Sequence, residues 1–327
     1  MSVFLSTLKK HGRLDPIHLT ICNVGSRKIS SQDEYATGPW SNFLPNLSIL
    51  GFDADADACQ AANEELATRQ INWTERHIPL ALSNVIGEST LYVTKAPMCS
   101  SLYPPNESYL KRFSNLADLV SLDYSVEIEV VTLDQACKDE SITNIDFLQI
   151  DVQGADLHVL EGASQLLERG ILGIQIEVEF SSLYKNQPLF ADVDSFLRGY
   201  DFSLFDLSLS HRVRACSPIR SALRNGQLLW GDAFYFKDLI QLMYDEPSST
   251  VSPDRIFKLA CLADALLFPD YGLELLEFLT INYGKDEQYN FADIIIETLL
   301  QFPELDIQSI QHLSIVKNIK GFCKSQA

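Results

Sequence analysis

Positive charge is scarce in this sequence. Its 327 residues carry 25 Lys and Arg against 44 Asp and Glu, a formal net charge of −19. A protein-wide basic face for duplex contact, which needs clustered Lys and Arg, is therefore excluded, and no nucleic-acid partner is expected. An anionic membrane surface would repel the chain for the same reason. Long apolar runs are missing too. None approaches the roughly 18 residues of a membrane helix, so no membrane span is expected. The first 14 residues hold only a short apolar run before Lys9 and Lys10. They lack the apolar core and small-residue cleavage site of a signal peptide. The seven cysteines are scattered and form no C-x-x-C, which predicts a reduced, cytoplasmic protein with structural thiols. There is no G-x-G-x-x-G, so a dinucleotide site has little support. The six histidines show no H-x₃-H spacing, so zinc is not expected.

What is present is a globular composition. Hydrophobic residues make up 46% and charged residues 21%, which excludes disorder over most of the chain. At about 150 residues per domain, the length suits one large or two ordinary domains. Strands are predicted over 17–24, 47–52, 71–78, 89–94, 126–133, 147–150, 171–180, 202–207 and 233–236. Helices are predicted over 55–68, 107–119, 155–168 and 193–197, the first capped by Asp55. This alternation predicts an α/β domain with a mostly parallel sheet. After Lys237 the pattern changes. Residues 247–253 read as a linker, and helices are predicted near 254–267, 270–282, 288–301 and 305–318. A boundary near residue 240 follows, giving an α/β domain over 1–240 and a helical domain over 241–327. Alone this tail is small, so it is expected to pack on the α/β domain or on a second subunit of a homo-oligomer.

Open α/β sheets bind ligands at the carboxyl ends of their strands, where the strand order reverses. Three such ends carry suggestive residues: Asn23-Val-Gly25-Ser-Arg27, Asp53, and Asp151 with Val-Gln-Gly154 behind it. Glycine permits close backbone approach to a ligand, and a carboxylate at the second end can accept both hydroxyls of a ribose. Each also has a structural reading, as a turn or a helix cap. Further on, Gln175, Glu177 and Glu179 share one face of a strand, which is unusual in a buried sheet. They either cap or pair with neighbours, or supply a general base. In a third version Glu177 joins Asp151 on a divalent ion such as Mg²⁺. Tyr184 and Gln187 follow in the next loop, placed to line an acceptor pocket. Arg212, Arg214, Arg220 and Arg224 cluster between the last two strands and suit a phosphate or carboxylate on the acceptor, or the acidic surface itself.

The stretch Ile145-Asp-Phe-Leu-Gln-Ile-Asp-Val-Gln-Gly-Ala-Asp-Leu-His-Val-Leu-Glu-Gly162 resembles the central signature of the FkbM family of S-adenosylmethionine-dependent methyltransferases. Thr132-Leu-Asp134, Ser100-Ser-Leu102 with Pro105-Asn106, and Glu177-Val-Glu-Phe180 running into Leu183-Tyr184 and Gln187-Pro-Leu-Phe190 add to the resemblance, which covers roughly residues 17–237. It implies a class I methyltransferase fold, Rossmann-like, with seven strands of which the last is antiparallel. It also implies S-adenosyl-L-methionine as cofactor. Asn23 and Gly25 would hold its methionine part, Asp53 its ribose, and Ala81, Leu82 and Ser83 its adenine region, with Asp151 beside it. The activity implied is O-methylation of a hydroxyl on a sugar, nucleotide sugar or secondary metabolite. The acceptor would be a small molecule or glycan, with Asp151, Glu177 and Glu179 as catalytic candidates and Tyr184, Gln187, Arg212 and Arg214 as acceptor contacts. The first motif departs from the family: Asn23 replaces the usual Asp, and no second glycine follows Gly25. That keeps open an alternative, a degenerate methyltransferase fold serving as a non-catalytic binding or assembly module.

Overall fold

The computed structural model describes residues 2–27, 36–245, 251–305 and 307–323. Part of the turn-rich 26–46 stretch and most of the linker expected at 247–253 lie outside the described residues. The chain forms two compact units: one comprises Thr20–Asp33 and Ile49–Lys237, the other Met1–Leu19, Glu34–Ser48 and Asp238–Ala327. The sequence pattern puts residues 1–19 and 34–48 with the sheet, whereas these segments group with the helices after Lys237.

Among the described residues ten strands are present: β1 (Leu19–Val24), β2 (Leu47–Phe52), β3 (Thr74–Ile78), β4 (Ala81–Leu82), β5 (Gly87–Thr94), β6 (Leu122–Val131), β7 (Phe147–Ile150), β8 (Gly173–Glu179), β9 (Phe202–Arg212) and β10 (Gln227–Lys237). Seven form one sheet in the order β3-β2-β1-β7-β8-β10-β9. β7 runs parallel to β1 and β8, and β10 runs antiparallel to β8 and β9. This is the class I methyltransferase arrangement.

Alternation along these strands divides the sheet faces. Cys22, Val24, Leu148, Ile150, Ile174, Ile176, Val178, Ala233 and Tyr235 share one fully buried core. The helical residues Val159, Leu160, Ala163, Leu167, Val193 and Leu197 complete it. The opposite face carries Asn23, Gln149, Gln175 and Phe234 in one row of register. One step toward the strand ends, Glu177 stands opposite Asp232.

Two differences from the sequence pattern shape the unit. The helix predicted over 155–168 is two helices, Asp156–Glu161 and Ser164–Arg169. At the break, a Cβ on Gly162 would lie 2.2 Å from the Ser83 carbonyl oxygen, so the backbones meet there with no room for a side chain. Asp134 makes the second helix possible: its carboxylate accepts the N–H groups of Gln165 and Leu166 at 2.9 and 3.2 Å, satisfying donors of the first turn. Likewise the helix predicted over 107–119 is two single turns, Glu107–Leu110 and Leu116–Leu119. The second difference is that β4, β6 and β5 form a separate three-stranded sheet. Strand alternation reveals strands but not which sheet they join.

The helical unit contains Leu5–Lys10, Pro253–Ala265, Pro269–Tyr283, Ala292–Leu299 and Ser314–Ile319. The helix predicted over 288–301 starts late because the Phe291 N–H bonds Thr280 Oγ1 at 3.1 Å and leaves the helical ladder. That over 305–318 is split into Ile307–Ile310 and Ser314–Ile319. Asp264, only 1% exposed, accepts the backbone N–H groups of Val3, Phe4 and Leu5 at 2.7, 2.8 and 2.9 Å. These are the orphan donors at the start of a helix. Asp264→Ala should lower the stability of this unit by about 3 kcal/mol or more, since each buried donor left unpaired costs ~1–3 kcal/mol. Urea unfolding followed by circular dichroism checks this, and Asp264→Asn, which keeps one acceptor, should lose less.

Candidate active site

The chain leaves β1 for β2 and β3 on one side, then returns to β7 and β8 on the other. The switch point is therefore between β1 and β7, where a ligand crevice is expected. A cleft of about 490 Å³ opens there, lined by Val24, Gly25, Phe52, Asp53, Ala81, Leu82, Asp151 and Gln153. Its volume is that of a small-molecule site. Leu91, Val93, Tyr124, Val126 and Ile128 of the small sheet form an apolar wall.

Backbone hydrogen bonds fix the three strand ends. Gly25 and Ser26 donate to the Phe52 carbonyl at 2.9 and 3.0 Å, and Asp151 N–H donates to the Val24 carbonyl at 3.0 Å. Gly25 has φ +82°, and a Cβ there would lie 1.9 Å from the Asp151 carbonyl oxygen. Both the backbone angle and the space demand glycine. Directly after β2, Asp53 accepts the N–H of Asp55 at 2.9 Å and that of Arg27 at 3.0 Å. Burial raises the Asp53 pKa, and those two N–H bonds pull it back.

The loop after β7 turns through two left-handed residues, Gln153 (φ +57°) and Gly154 (φ +91°). Asp156 holds it, accepting from Val152 N–H at 3.0 Å and Gly154 N–H at 2.8 Å. Burial, then the charge of Asp151, pushes the Asp156 pKa up to about 7. The turn aims Gln153 at two carboxylates: its Nε2 donates to Asp151 Oδ1 at 2.7 Å and Glu177 Oε2 at 2.9 Å. Its Oε1 lies 3.0 Å from the Tyr184 hydroxyl, which is also 2.8 Å from the Cys99 carbonyl oxygen. The Asp151 side chain meets solvent inside the cleft, yet protein surrounds it, and this burial raises its pKa. Burial and then Asp151 hold Glu177 well above the carboxylate range. Burial followed by Asp156 does the same to Glu179, and burial with Asp151 raises Asp232.

Gly25, Asp53, Ala81, Leu82 and Asp151 thus line one cleft. Other candidates do not line the cleft. Asn23 lies half-buried within β1, paired in register with Gln149. Ser83 is buried, its N–H bonded to the Val131 carbonyl. Glu177 reaches the cleft only through Gln153. Glu179 is 3% exposed, and its Oε1 has no hydrogen-bond partner. Tyr184 and Gln187 are buried rather than in an open acceptor pocket, because Gly154 leaves room for both side chains to pack against the loop. Arg212 and Arg214 stand apart from the cleft, stacked on Trp230 and Phe113. Among the described residues no three His, Cys, Asp or Glu converge to hold a metal ion, which leaves the Asp151–Glu177 pair without a completed Mg²⁺ set. Gln153 and Asp156 escaped the sequence reading although both lie inside the signature stretch. Asp232 gave no signal before its register with Glu177 was known.

The strand order and the crevice at its switch point define a class I methyltransferase fold. Residues 44–204, from just before β2 to the start of β9, match the model for the methyltransferase FkbM domain. Among solved structures, the chain is similar to methyltransferase FkbM from Methylobacillus flagellatus KT. The identity is 12% and the TM-score 0.38, covering 68% of this chain and 45% of that one. It thus spans less than half of that protein's length. It is also similar to M. capricolum TrmK in complex with S-adenosyl-homocysteine, at 10% identity and TM-score 0.34 over 95% of both chains. A third is the magnesium protoporphyrin IX methyltransferase ChlM from Synechocystis PCC 6803 with bound SAM, at 11% identity and TM-score 0.30. It covers 70% of this chain and 75% of that one. No curated protein matches. No helix among the described residues is long and apolar enough to cross a membrane.

The carboxyl cluster has a measurable sign. Folding raises the pKa of Asp151, Glu177 and Glu179, so it favours their protonated forms. The cluster's cost therefore grows as pH rises from the ordinary carboxylate range toward the raised values, and it is relieved as pH falls. Glu177→Gln should raise the melting temperature at pH 8 by about 2–4 °C, what ~1 kcal/mol produces in a domain of this size. The gain should be smaller at pH 5. Calorimetric melts at both pH values check it.

Proposed function

We propose that this methyltransferase uses S-adenosyl-L-methionine to methylate a hydroxyl of a sugar, nucleotide sugar or secondary metabolite. The observation that carries the reading is the meeting of Gly25, Asp53 and Asp151 at three adjacent strand ends around one cleft. The residues fit the cofactor. The close approach of Gly25 to the Asp151 backbone leaves a side-chain-free turn against which a methionine moiety can lie. Asp53 uses each carboxylate oxygen once, leaving lone pairs for ribose hydroxyls. Ala81 and Leu82 offer an apolar wall to a base. The cofactor, when bound, supplies a methyl group already activated on a sulfonium.

The chain's own work is then alignment and proton removal. Asp151 is the group in the cleft able to take the proton from the acceptor hydroxyl. Its raised pKa makes it a better base than an ordinary aspartate while it remains ionised. Gln153 orients the Asp151 carboxylate and ties it to Glu177. The wall of Leu91, Val93, Val126 and Ile128 supports an acceptor with an apolar ring face.

Titration calorimetry with S-adenosylhomocysteine tests the cofactor assignment. Asp53→Ala should weaken binding by about 10–150-fold, the loss of hydrogen bonds to a charged group. Equal affinity in the variant would remove Asp53 from the ribose role. Methyl transfer from labelled cofactor to a panel of hydroxyl acceptors tests the reaction. Asp151→Asn should lower turnover by about 10²–10⁴-fold with cofactor affinity little changed. Full turnover in that variant would leave alignment as the sole source of rate.

A further inference from the structure

From Leu207 to Gly231 the chain contains no Asp or Glu, although acids number 44 in 327 residues, and it carries His211, Arg212, Arg214, Arg220 and Arg224. The structure places this run on the end of β9, the loop beyond it and the start of β10. Among the described residues none of these four guanidiniums has a carboxylate within ion-pairing distance. In so acidic a chain, the simple expectation that they pair with the surface is not met.

His211, Arg212 and Arg220 line one hollow of about 450 Å³, together with Ser114, Asn115 and the apolar Leu116. None of its lining residues lines the cofactor cleft. Arg212 is held for recognition. Its guanidinium stacks on the Trp230 ring at 4.4 Å, and Nη1 donates to the His211 carbonyl at 3.1 Å. The remaining N–H donors have no acceptor among the described residues. A stacked, planar guanidinium loses little freedom on binding and presents a fixed fork of donors. Arg220 is exposed and brings a second cation to the same hollow. The Asn115 side-chain amide is a further donor there with no partner among the described residues.

We propose that this hollow is a second binding site, separate from the methyl-transfer cleft, for a phosphate-type oxyanion carried on a small apolar group. The charge and the paired guanidiniums select the oxyanion, because Arg forks match phosphate oxygens in pairs. Leu116 gives the attached group an apolar seat. The same chemistry is offered by a soluble phosphate ester and by a lipid headgroup.

The experiment uses the full chain. Phenyl phosphate and pyrophosphate are titrated calorimetrically at low salt, and vesicles of phosphatidylcholine, alone or mixed with phosphatidylserine, are tested by co-flotation. Wild type should bind the soluble phosphates saturably. Arg212→Gln and Arg220→Gln should each weaken them about tenfold or more, as expected for charged hydrogen bonds. Binding only to the serine-containing vesicles, lost in the same variants, would support the site and assign the oxyanion to a headgroup. No binding to either probe, or binding unchanged in both variants, overturns the proposal. Arg220 is exposed and, among the described residues, its side chain makes no hydrogen bond or ion pair, so its variant stays informative even if loss of the Arg212–Trp230 stack unfolds the chain.

Discussion

The approach of Gly25 to the Asp151 carbonyl is the contact on which the site depends. With 1.9 Å between a would-be Cβ and that oxygen, any side chain at position 25 would push β1 and β7 apart at their carboxyl ends. Those ends carry the hydrogen bonds that join the first turn, the end of β2 and Asp151 into one wall. The positive φ at Gly25 turns the chain away from the sheet directly after Val24, which opens the crevice. Two unrelated demands, backbone angle and space, thus meet on one residue.

Around that contact the protein accepts a cost. Burial raises the pKa of Asp151, Glu177, Glu179 and Asp232, and the charge of Asp151 raises that of the other three further. A fold selected only for stability would place apolar residues there, as it does on the opposite face with Ile174, Ile176 and Val178. Glu179 Oε1 and Gln187 Nε2 are both buried without hydrogen-bond partners. Crowded carboxyls at one end of one sheet mark where function has displaced packing.

Much of this was legible in the sequence. The strand ending at Asp151, the glycine after Val24 and Asp53 stand at positions where strand periodicity stops, and a ligand crevice forms where strands stop. What was not legible depended on contacts between distant segments. Tyr184 sits in a loop, and loop aromatics read as surface; it is buried because Gly154, thirty residues earlier, leaves room for its ring. The helix break at Gly162 is set by the Ser83 carbonyl, not by local propensity, since Ala163 and Leu160 favour helix. β5 and β6 alternate like strands of the main sheet, and only their mutual pairing makes them a separate wall. The arginines between β9 and β10 were visible, but their position away from the cleft was not.

Asp264 adds a consequence in time. Its carboxylate closes on Val3, Phe4 and Leu5 across more than 250 positions of chain. During synthesis at roughly 5–20 residues per second, the amino-terminal turn waits on the order of tens of seconds for its acceptor to be made. The whole seven-stranded sheet is translated within that interval. The helix Leu5–Lys10 is thus synthesised well before its acceptor, and until then its apolar residues Leu5 and Leu8 are exposed to whatever holds nascent chains in solution.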